Sequence, residues 1–591
     1  MPIGKTSSTR IHPNTSDEFS FWIASGERVN PTDIVVTQNS DGSQTYGLVT
    51  RIENISDSGS HLDNFVSHDF GRAESTPRTR RLSANVARCV VLKNTQNIYM
   101  PVEGGQDVEF ADDDGILTAL GISEVRQTDP TNFCPLPAGV IELSNGVRAP
   151  AIIDARYLIG PEGAHLNISG ISGLATKTSY AMFLLNVLLQ KYGDKVAVIV
   201  FNVKQDDLLY LDQPAFPITT DGKIDLRQIP QEQRQLWEEE QKLWDILGAQ
   251  PQPFRNVTRF VPRGQFGRGR AVRVEPNTYG RNLVNPIMYS YDLRDMWDKI
   301  SYLFTGVEDP RGTLEMLLSD IEEDLEDGYI SCGNQSFPVT TFSDLINCFS
   351  QILQNRIQYR NHHFGTIGSF LKRLRYFVQR GTTGLFVDKK ASNEVTLAHY
   401  VWAIRPGQVY VIDIAKLQDF ERAFVIGDVV NEVYRLFSRE VTYGDVPEDI
   451  RRQSWESIED SDLGNPIEPP KHLVFFVDEL NKYAPAGGRE SPILHNLLEI
   501  TERGRSLGVI LIGAEQFASS VHKRIIGNCS NKIYGRSDST ELGDDAYRHI
   551  PQDLKALITR LEQGRLLLQH PLYRQPVQIR FPKPVYRQSR R

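Results

Sequence analysis

A chain of 591 residues is longer than one hydrophobic core usually organises, so we expect a large central domain with additions. Its 40% hydrophobic and 24% charged residues exclude a disordered or fibrous protein, and its net charge of -9 excludes a general positive field for nucleic acid. Five cysteines without CxxC spacing argue against zinc sites and disulfides, and the lack of a long apolar run predicts a cytoplasmic protein without membrane spans.

The first 150 residues contain short runs of β-forming residues that are separated by turn signals. Three of these runs are IVVTQNSDGSQTYGLVTRI, ARCVVLKNTQNIYMPV and GVIELSNGVRAP. Strands at this spacing predict a small β-barrel over residues 1–150. The polar stretch 56–79 predicts a long loop within that barrel.

Buried strands alternate with amphipathic helices from about residue 165, which predicts an α/β domain with a parallel sheet. HLNIS, TSYAMFLLNVLLQKY and KVAVIVFNV begin this pattern, and VYVIDI, HLVFFVDEL and GVILIGAE continue it much later. We therefore expect a core of residues 151–205 and 398–560, interrupted by a helical subdomain at 206–397. The basic segment 561–591 predicts a C-terminal arm that either reaches a neighbouring subunit or adds a strand to its own domain.

The segment HLNISGISGLATKTS has the strand, glycine-rich turn and helix start of a phosphate-binding loop (P-loop). Glycines let backbone N–H groups face phosphates, and the helix N-terminus adds the positive end of its dipole. We expect Lys177 to contact the β- and γ-phosphates of ATP, and the Thr178 hydroxyl to coordinate Mg²⁺. The predicted nucleotide-binding residues are Gly170, Ser172, Gly173, Leu174, Ala175, Thr176, Lys177, Thr178 and Ser179.

This loop departs from the usual G-x-x-x-x-G-K-[ST] pattern in two ways. Thr176 stands where the pattern has glycine, and Gly170 lies one position too far from Lys177. An ordinary strand–helix turn with a solvated lysine is therefore the alternative for this segment.

A second motif, KHLVFFVDEL, is a buried strand that ends in Asp478 and Glu479. The apolar run predicts a strand in the centre of the sheet, and its carboxyl end lies at the edge where open α/β sheets bind ligands. We expect Asp478 to hold Mg²⁺ through water, and Glu479 to polarise the attacking water. A strand that merely ends in solvated acids is the alternative.

Four more residues are candidates for the hydrolytic site. Gln516 ends the strand GVILIGAEQ and is placed to sense the γ-phosphate, although a surface glutamine is an equal alternative. A helix is predicted over residues 492–503, and we place Arg503 and Arg505 at and beyond its end. Both are candidates for a trans finger on a neighbouring subunit's phosphates. Arg536 is another candidate, and an ordinary salt bridge is the alternative for each arginine.

Seven arginines lie between residues 255 and 281, where Glu275 is the single acid. Arg263, Arg268 and Arg270 in PRGQFGRGR are candidates for following DNA phosphates along a ring channel. The alternative is a loop that pairs with the acidic stretch near Glu322.

The order of barrel, P-loop domain, helical insertion, VFFVDELNKYAP and ITERGRSLGVILIGAEQF resembles the HerA/FtsK branch of P-loop ATPases, and HerA-like proteins in particular. The resemblance covers nearly the whole chain. It implies a RecA-like ATPase core with an N-terminal β-barrel, an inserted helical subdomain and a C-terminal brace. It also implies ATP and Mg²⁺ as cofactors, and a hexameric ring around duplex DNA.

The loop GLATKTS lacks the family's usual glycine before Lys177, and in this it is similar to HerA-like proteins of bacterial antiphage defence pairs. That resemblance implies a sirtuin-like NADase or a nuclease as an effector, bound through the barrel. The first functional hypothesis is thus a DNA translocase or helicase that couples ATP hydrolysis to this effector.

Three other functions remain as alternatives. The irregular loop favours a nucleotide-binding assembly platform that activates the effector with little motor activity. A helicase that serves DNA end resection with a nuclease has the same architecture. A DNA pump of the conjugative coupling type is less favoured, because such pumps usually carry membrane helices.

Overall fold

The computed structural model describes residues 1–76, 82–173, 176–204, 208–263, 266–267, 270–271, 286–304, 307, 309, 311–333, 335–380, 383–455, 469–487 and 492–588. Two sheets dominate the fold: a closed antiparallel barrel and a thirteen-stranded mixed sheet flanked by helices. This confirms the predicted α/β class with an N-terminal β-barrel. No helix in the described ranges is both long enough and apolar enough to span a bilayer.

The barrel has the strand order β1-β2-β5-β4-β3-β6 and closes by pairing of β1 with β6. Phe19, Phe21 and Val49 fill its interior, and the residues that alternate with them face outward, as the pleat of a strand requires. Its elements are β1 (Gly4–Ser7), β2 (Glu18–Ile23), β3 (Ile34–Gln38), β4 (Gln44–Ser56), α1 (His61–Ser67), β5 (Ser83–Asn94) and β6 (Asp107–Phe110).

Helix α1 lies in the segment 56–79, where a loop is predicted. Ser60 caps this helix through a reciprocal capping box with Asp63, which explains why a helix forms in so polar a stretch. None of the helix residues is buried, and Leu62, Phe65 and Phe70 on or beside the helix are exposed apolar side chains.

The barrel ends at Phe110, well before the predicted boundary at residue 150. Helices α2 (Asp113–Ala119) and α3 (Ile122–Thr128) follow, and then the hairpin of β7 (Pro135–Glu142) and β8 (Arg148–Asp154). This hairpin contains the segment GVIELSNGVRAP, which was predicted as a barrel strand but joins the large sheet through β23 (Val577–Arg580). The physical reason is that β7 is buried on both faces, so it fits between two layers of the core.

The large sheet and its helices form the rest of the chain. Its first elements are β9 (Leu166–Ser169), α4 (Lys177–Tyr192), β10 (Val196–Asn202), α5 (Gln231–Leu247), β11 (Val257–Pro262), β12 (Phe266–Gly267), β13 (Arg270–Ala271), β14 (Ile287–Tyr289), α6 (Ile300–Leu303), α7 (Thr313–Glu326), β15 (Tyr329–Cys332), β16 (Gln335–Pro338), α8 (Phe342–Gln354), α9 (Phe364–Arg375) and β17 (Glu394–Val395).

The remaining elements complete the core. They are α10 (Leu397–Trp402), β18 (Val409–Asp413), α11 (Asp419–Phe437), α12 (Glu448–Trp455), β19 (His472–Asp478), α13 (Pro492–Leu507), β20 (Val509–Glu515), α14 (Lys523–Asn528), β21 (Asn531–Tyr534), α15 (Gln552–Ile558), β22 (Arg565–Gln569) and β23. The sheet order is β17-β14-β11-β18-β10-β19-β20-β9-β21-β22-β23-β7-β8. Strands from β17 to β21 in this order are parallel, and the last four are antiparallel.

The insertion at residues 206–397 was predicted to be helical, but the structure shows that it is only partly so. It contains α5 to α9, but β11, β14 and β17 extend the parallel sheet beyond β18. The last four residues of β11 are buried, and one of them, Arg259, is compensated there by the Leu209 carbonyl and by Asp212. At the other end of the chain, the segment QIRF forms β23 in the sheet of its own domain.

Both faces of the parallel strands are buried. Val198 and Val200 of β10 pack into one hydrophobic cluster, and Ile199 and Phe201 pack into the other. Such two-sided burial is typical of the central strands of a parallel sheet. All five cysteines are free thiols, and four of them are buried.

A buried ionic network fixes the inserted segment to the core. Lys299, directly before α6, lies 2.6 Å from Asp428 and also bonds to Glu432, and both acids are on α11. The Tyr291 hydroxyl donates to Asp428 at 2.8 Å, and the Trp402 indole N–H donates to Glu432 at 2.8 Å. The two carboxylates are therefore compensated by the Lys299 ammonium, by these two neutral donors and, for Glu432, by the Arg435 guanidinium at 3.2 Å.

We expect Lys299→Met to destabilise the fold strongly, because it leaves Asp428 buried without its counter-ion and Glu432 with Arg435 as its remaining cation among the described residues. Breaking one side of a buried ion pair costs roughly 3–5 kcal/mol, which should lower the melting temperature by several degrees. The exposed pair of Arg452 and Glu448 provides the control, since Arg452→Met should leave the melting temperature unchanged. Equal melting temperatures for Lys299→Met and the wild type would show that the network does not stabilise the fold.

Candidate active site

The predicted P-loop connects β9 to α4 at the carboxyl edge of the sheet. Gly170 and Gly173 have φ of 148° and 81°, which are backbone conformations that favour glycine. The Gly170 N–H donates to the Glu515 carbonyl at 3.2 Å, and the Ile171 N–H donates to the Arg536 carbonyl at 2.8 Å. The loop is therefore held between the ends of β20 and β21. Ser172 is exposed in the turn, Ser179 lies in the first turn of α4, and Leu174 and Ala175 are outside the described residues.

Thr176 occupies the position where the usual motif has glycine. Its φ of 47° and ψ of 34° lie in the left-handed region, so its backbone adopts the conformation that a glycine would supply without strain. Its hydroxyl is buried and has no hydrogen-bond partner among the described residues. An unpaired buried hydroxyl and a strained backbone are both unfavourable, and such features concentrate at functional sites.

Lys177 is the first residue of α4, and its side chain lies within the site. Only 6% of the residue is exposed, and its Nζ donates to the Gly170 carbonyl at 2.5 Å. Burial lowers the pKa of Lys177, although the nearby Asp478 carboxylate opposes this shift. The lysine thus folds back over its own loop, against the alternative of a solvated side chain.

Asp478 and Thr178 meet at the carboxyl edge of the sheet. The order β9-β20-β19 leaves one strand between the P-loop strand and the acidic strand. Across this gap the Thr178 hydroxyl donates to Asp478 Oδ2 at 3.2 Å. Asp478 is nearly buried, and its Oδ1 accepts from the Glu479 N–H at 2.9 Å. Glu479 itself has a left-handed backbone with φ of 57°.

Two lysines that were not predicted complete the acidic cluster. Lys204 follows β10, and its Nζ lies 2.9 Å from Asp478 Oδ2 and 3.5 Å from Glu479 Oε1. Lys482 Nζ lies 2.5 Å from Glu479 Oε2. Burial alone would raise the pKa of Glu479, but hydrogen bonding and charge from Lys482 and Lys204 lower it below its usual value. Glu479 is therefore held as a carboxylate.

The oxygens of Thr178 and Asp478 fit the expected role in Mg²⁺ binding. Mg²⁺ usually takes one or two protein oxygens and completes its octahedron with phosphates and waters. In the described part of the chain, no cluster of three or more His, Cys, Asp and Glu side chains provides a complete protein cage for a metal. The hydroxyl and the carboxylate are thus suited to a metal that arrives with nucleotide.

Gln516 and Arg536 both lie at the edge of the sheet that carries the P-loop. Gln516 directly follows β20, between the P-loop strand and the acidic strand, and it is exposed. Arg536 follows β21, and its carbonyl bonds to the loop of the same chain. Its side chain is exposed and makes no ion pair with the described residues. Arg536 is therefore placed beside the predicted P-loop of its own chain.

Arg503 and Arg505 were predicted to lie beyond the helix, but both lie within α13. Helix α13 continues to Leu507 because Gly504 packs against the Val509 carbonyl without interrupting the helix. The Gly508 carbonyl that follows accepts from Leu473 near the start of β19, so the end of α13 lies at the amino-terminal edge of the sheet. Both arginines are exposed and face away from the P-loop of their own chain, and Arg503 lies 3.2 Å from Glu499.

Of the three predicted DNA-binding residues, one has a described side chain. Arg263 lies 3.0 Å from Glu394, an acid that is almost fully buried and that also accepts from the Ser290 hydroxyl. Arg263 thus makes a salt bridge, although with Glu394 and not with the acidic stretch near Glu322. Arg268 lies outside the described residues, and Arg270 is described only as part of the backbone pair β12–β13.

A buried acid, Glu515, lies behind the P-loop at the end of β20. Its Oε1 accepts from the Asn167 amide at 2.7 Å, and its Oε2 is buried with no partner in the ranges that the structure describes. Burial raises the pKa of Glu515 well above its ordinary value, against the opposing influence of Asn167 and Lys177. Burial therefore favours the neutral carboxylic acid form of this side chain.

Comparison with known proteins finds distant likenesses among solved structures. No protein-family model matches the chain, and no curated protein matches it. The plasmid coupling protein TrwB in complex with ADP and Mg²⁺ is 10% identical and has a TM-score of 0.39, over 72% of this chain and 86% of its own. VirB4 of Thermoanaerobacter pseudethanolicus is 14% identical and has a TM-score of 0.39, over 76% of this chain and 96% of its own.

A smaller chain covers only part of the protein. The genome packaging NTPase B204 from Sulfolobus turreted icosahedral virus 2, in complex with ATP-gammaS, is 14% identical with a TM-score of 0.22. The likeness spans 32% of this chain and 72% of that one. At such distances, the roles of individual residues rest on their geometry in this chain.

Glu515→Gln should stabilise the protein increasingly as the pH rises. A carboxyl whose folded pKa is raised contributes full stability below its unfolded pKa, and this stability is lost as the pH rises through the folded pKa. Glutamine keeps the bond to Asn167 and has no charge to lose. We expect the melting temperature of Glu515→Gln minus that of the wild type to grow as the pH rises above the ordinary pKa of a glutamate, about 4.3.

The exposed Glu562 provides the control, and Glu562→Gln should show no such growth. A constant difference between Glu515→Gln and the wild type as the pH rises would mean that Glu515 is not a buried neutral acid.

Proposed function

We propose that this chain is a P-loop ATP hydrolase. The observation that carries the proposal is the 3.2 Å contact between Thr178 Oγ1 and Asp478 Oδ2, two residues that are 300 positions apart. A hydroxyl that follows a P-loop lysine and a carboxylate that ends a central strand are the two protein ligands of nucleotide-bound Mg²⁺ in this class. The convergence of both motifs supports a nucleotide site more strongly than either motif does.

Each residue of the site has a role that its geometry supports. Lys177 exchanges the Gly170 carbonyl for the β- and γ-phosphates, which offer a buried ammonium stronger acceptors. The buried Thr176 hydroxyl faces the same loop and gains a phosphate oxygen as its missing partner. When bound, Mg²⁺ supplies charge that neutralises the phosphate oxygens.

Glu479 is the candidate general base. Its pKa is lowered, so it is ionised at neutral pH and able to accept the proton of an attacking water. Gln516, at the end of the strand between the two motifs, orients the water or senses the γ-phosphate. Arg536 of the same chain is placed to stabilise the charge that develops on the transferred group.

We further propose that the protein acts as a homo-oligomeric, hexameric ring that moves duplex DNA. Arg503 and Arg505 lie at the edge of the sheet opposite their own P-loop, and only a neighbouring subunit brings them to a nucleotide. Their position therefore favours a trans finger in a ring. The resemblance to HerA-like proteins supports the hexamer and the duplex DNA in its channel.

The effector is proposed to bind through the barrel. The connection between β4 and β5 contains α1, and the apolar side chains of Leu62, Phe65 and Phe70 on and beside this helix are exposed. Exposed apolar clusters often mark protein-binding surfaces. A sirtuin-like NADase or a nuclease in antiphage defence is the partner that the resemblance implies. The proposed cellular role is to couple ATP hydrolysis to the activity of that partner.

The assembly platform is the second candidate. Lys204 and Lys482 both hold Glu479, and Thr176 replaces the glycine of the usual loop. These features favour tight control of hydrolysis, so a ring that mainly binds nucleotide and gathers its effector has specific support.

Lys177→Ala should weaken the binding of ATP about tenfold to a hundredfold, because a charge-assisted hydrogen bond to phosphate is lost. Glu479→Gln should bind ATP normally and slow hydrolysis about 10²- to 10⁴-fold, as expected on loss of a general base. Binding of a fluorescent ATP analogue and release of phosphate measure the two effects. Lys191→Ala, at the exposed far end of α4, is the control for both.

The same variants distinguish the two candidate functions. If Glu479→Gln keeps the effector bound but abolishes the activity of the complex, hydrolysis is required and a platform is contradicted. If Glu479→Gln leaves that activity intact, the platform is favoured. A wild type that neither binds nor hydrolyses ATP would contradict both.

The double variant Arg268→Ala, Arg270→Ala should weaken binding of duplex DNA without changing any base preference. Each lost phosphate contact reduces the slope of log affinity against log salt by about 0.9. Fluorescence anisotropy with labelled duplexes at several salt concentrations measures this slope. Arg227→Ala, at an exposed arginine of the same insertion, is the control. An unchanged slope in the double variant would exclude these arginines from the DNA path.

A further inference from the structure

The proposed hydrolytic roles leave Lys204 without a task. It follows β10, which pairs with β19, and this neighbourhood brings its ammonium to the ends of both acids. Its side chain is 43% exposed, whereas the Asp478 side chain that it contacts is 4% exposed. A partly solvated cation thus covers a nearly buried carboxylate.

The hydrogen bonds of Asp478 are already satisfied. Oδ1 accepts from the Glu479 N–H, and Oδ2 accepts from both the Thr178 hydroxyl and the Lys204 ammonium. A divalent cation that binds both Thr178 and Asp478 needs Oδ2, the oxygen that the Thr178 hydroxyl contacts, so one of the Oδ2 partners must withdraw. Thr178 is itself a candidate ligand of the same cation, and the Glu479 N–H is fixed by the backbone. Lys204 is the partner that is free to leave.

Electrostatics favours the same exchange. Asp478 and Glu479 are adjacent carboxylates that repel each other, and a cation between them relieves the repulsion. Lys204 contacts both acids, whereas Lys482 contacts only Glu479. A divalent ion and the Lys204 ammonium would lie within a few ångströms of each other at Asp478, where their charges repel. The two cations therefore compete for one position.

We propose that Lys204 is a positioning residue that holds the cation position of Asp478 and Glu479 in the nucleotide-free protein and is displaced by the arriving divalent metal. The inference rests on the proposed function for its biological meaning, because the metal arrives with nucleotide during the hydrolytic cycle. In the resting state, Lys204 bridges the two acids and keeps Glu479 engaged. Metal binding releases Lys204 from Asp478 and loosens its hold on Glu479, so the base becomes available when the site is loaded.

The test is Mn²⁺ binding to the full chain without nucleotide, measured by the loss of the electron paramagnetic resonance signal of free Mn²⁺. Removal of one competing unit charge should tighten Mn²⁺ binding by Lys204→Met about tenfold. Lys482→Met is the matched control and should gain much less, because Lys482 does not contact Asp478. Lys204→Arg keeps the charge and should retain the wild-type affinity.

Two outcomes would overturn the proposal. Equal or weaker Mn²⁺ binding by Lys204→Met would show that the lysine does not compete with the metal. An equal gain in Lys482→Met would show a general charge effect in place of competition at Asp478.

Chemical labelling of the wild type tests the displacement without any substitution, and it remains decisive if Lys204→Met does not fold. Lys204 should react faster with an amine-acylating reagent when Mn²⁺ is added, whereas the reactivity of Lys191 should not change. An unchanged rate at Lys204 at saturating Mn²⁺ would contradict the proposal.

Neither measurement includes nucleotide, so the failure of this inference is distinguishable from the failure of the proposed function. A chain that exchanges Lys204 for metal but never binds ATP would contradict only the proposed function. A chain that hydrolyses ATP while Lys204 stays on Asp478 would contradict only this inference.

Discussion

Parallel strands end at a common edge, and the proposed site depends on this constraint. The strand order β10-β19-β20-β9-β21 brings together the ends of five segments that are far apart along the chain. Four site residues lie at or just beyond one of these ends: Lys204, Asp478, Gln516 and Arg536. The fifth, Thr178, lies in the first turn of the helix that follows β9. The barrel, the insertion and the C-terminal strands are additions around this edge.

Several features at this edge of the sheet are unfavourable for the stability of the fold. In the core, the Lys299 network satisfies both of its carboxylates with an ammonium, a guanidinium, a phenol and an indole. Around the P-loop, Thr176 has a strained backbone and an unpaired hydroxyl, and one oxygen of Glu515 is unpaired among the described residues. Local rules that are broken in one place and obeyed elsewhere are typical of a functional site.

The two motifs could be predicted from the sequence because each is local. The strand HLNIS with the turn before Lys177, and the strand HLVFFV before Asp478, reveal their roles through short-range patterns. The barrel boundary could not be predicted in this way, because β7 follows the barrel as one more run of β-forming residues and its partner strand β23 lies at the far end of the chain. Strand β11 within the insertion could not be predicted for a similar reason, because a short strand is stabilised by pairing with its neighbour, which here is β18. Lys204 was not predicted as a site residue, although it closely follows the buried strand β10 as Asp478 ends the buried strand β19. Recognising it required the knowledge that β10 and β19 are neighbours.

The most direct test of this account is an experimental structure of the chain with a non-hydrolysable ATP analogue and Mg²⁺. The account predicts that the β- and γ-phosphates lie on the backbone of residues 170–177 and on Lys177, with the metal between Thr178 and Asp478 and with Lys204 withdrawn from Asp478. A nucleotide bound elsewhere, or a loop that keeps Lys177 on the Gly170 carbonyl in the presence of saturating nucleotide, would contradict it.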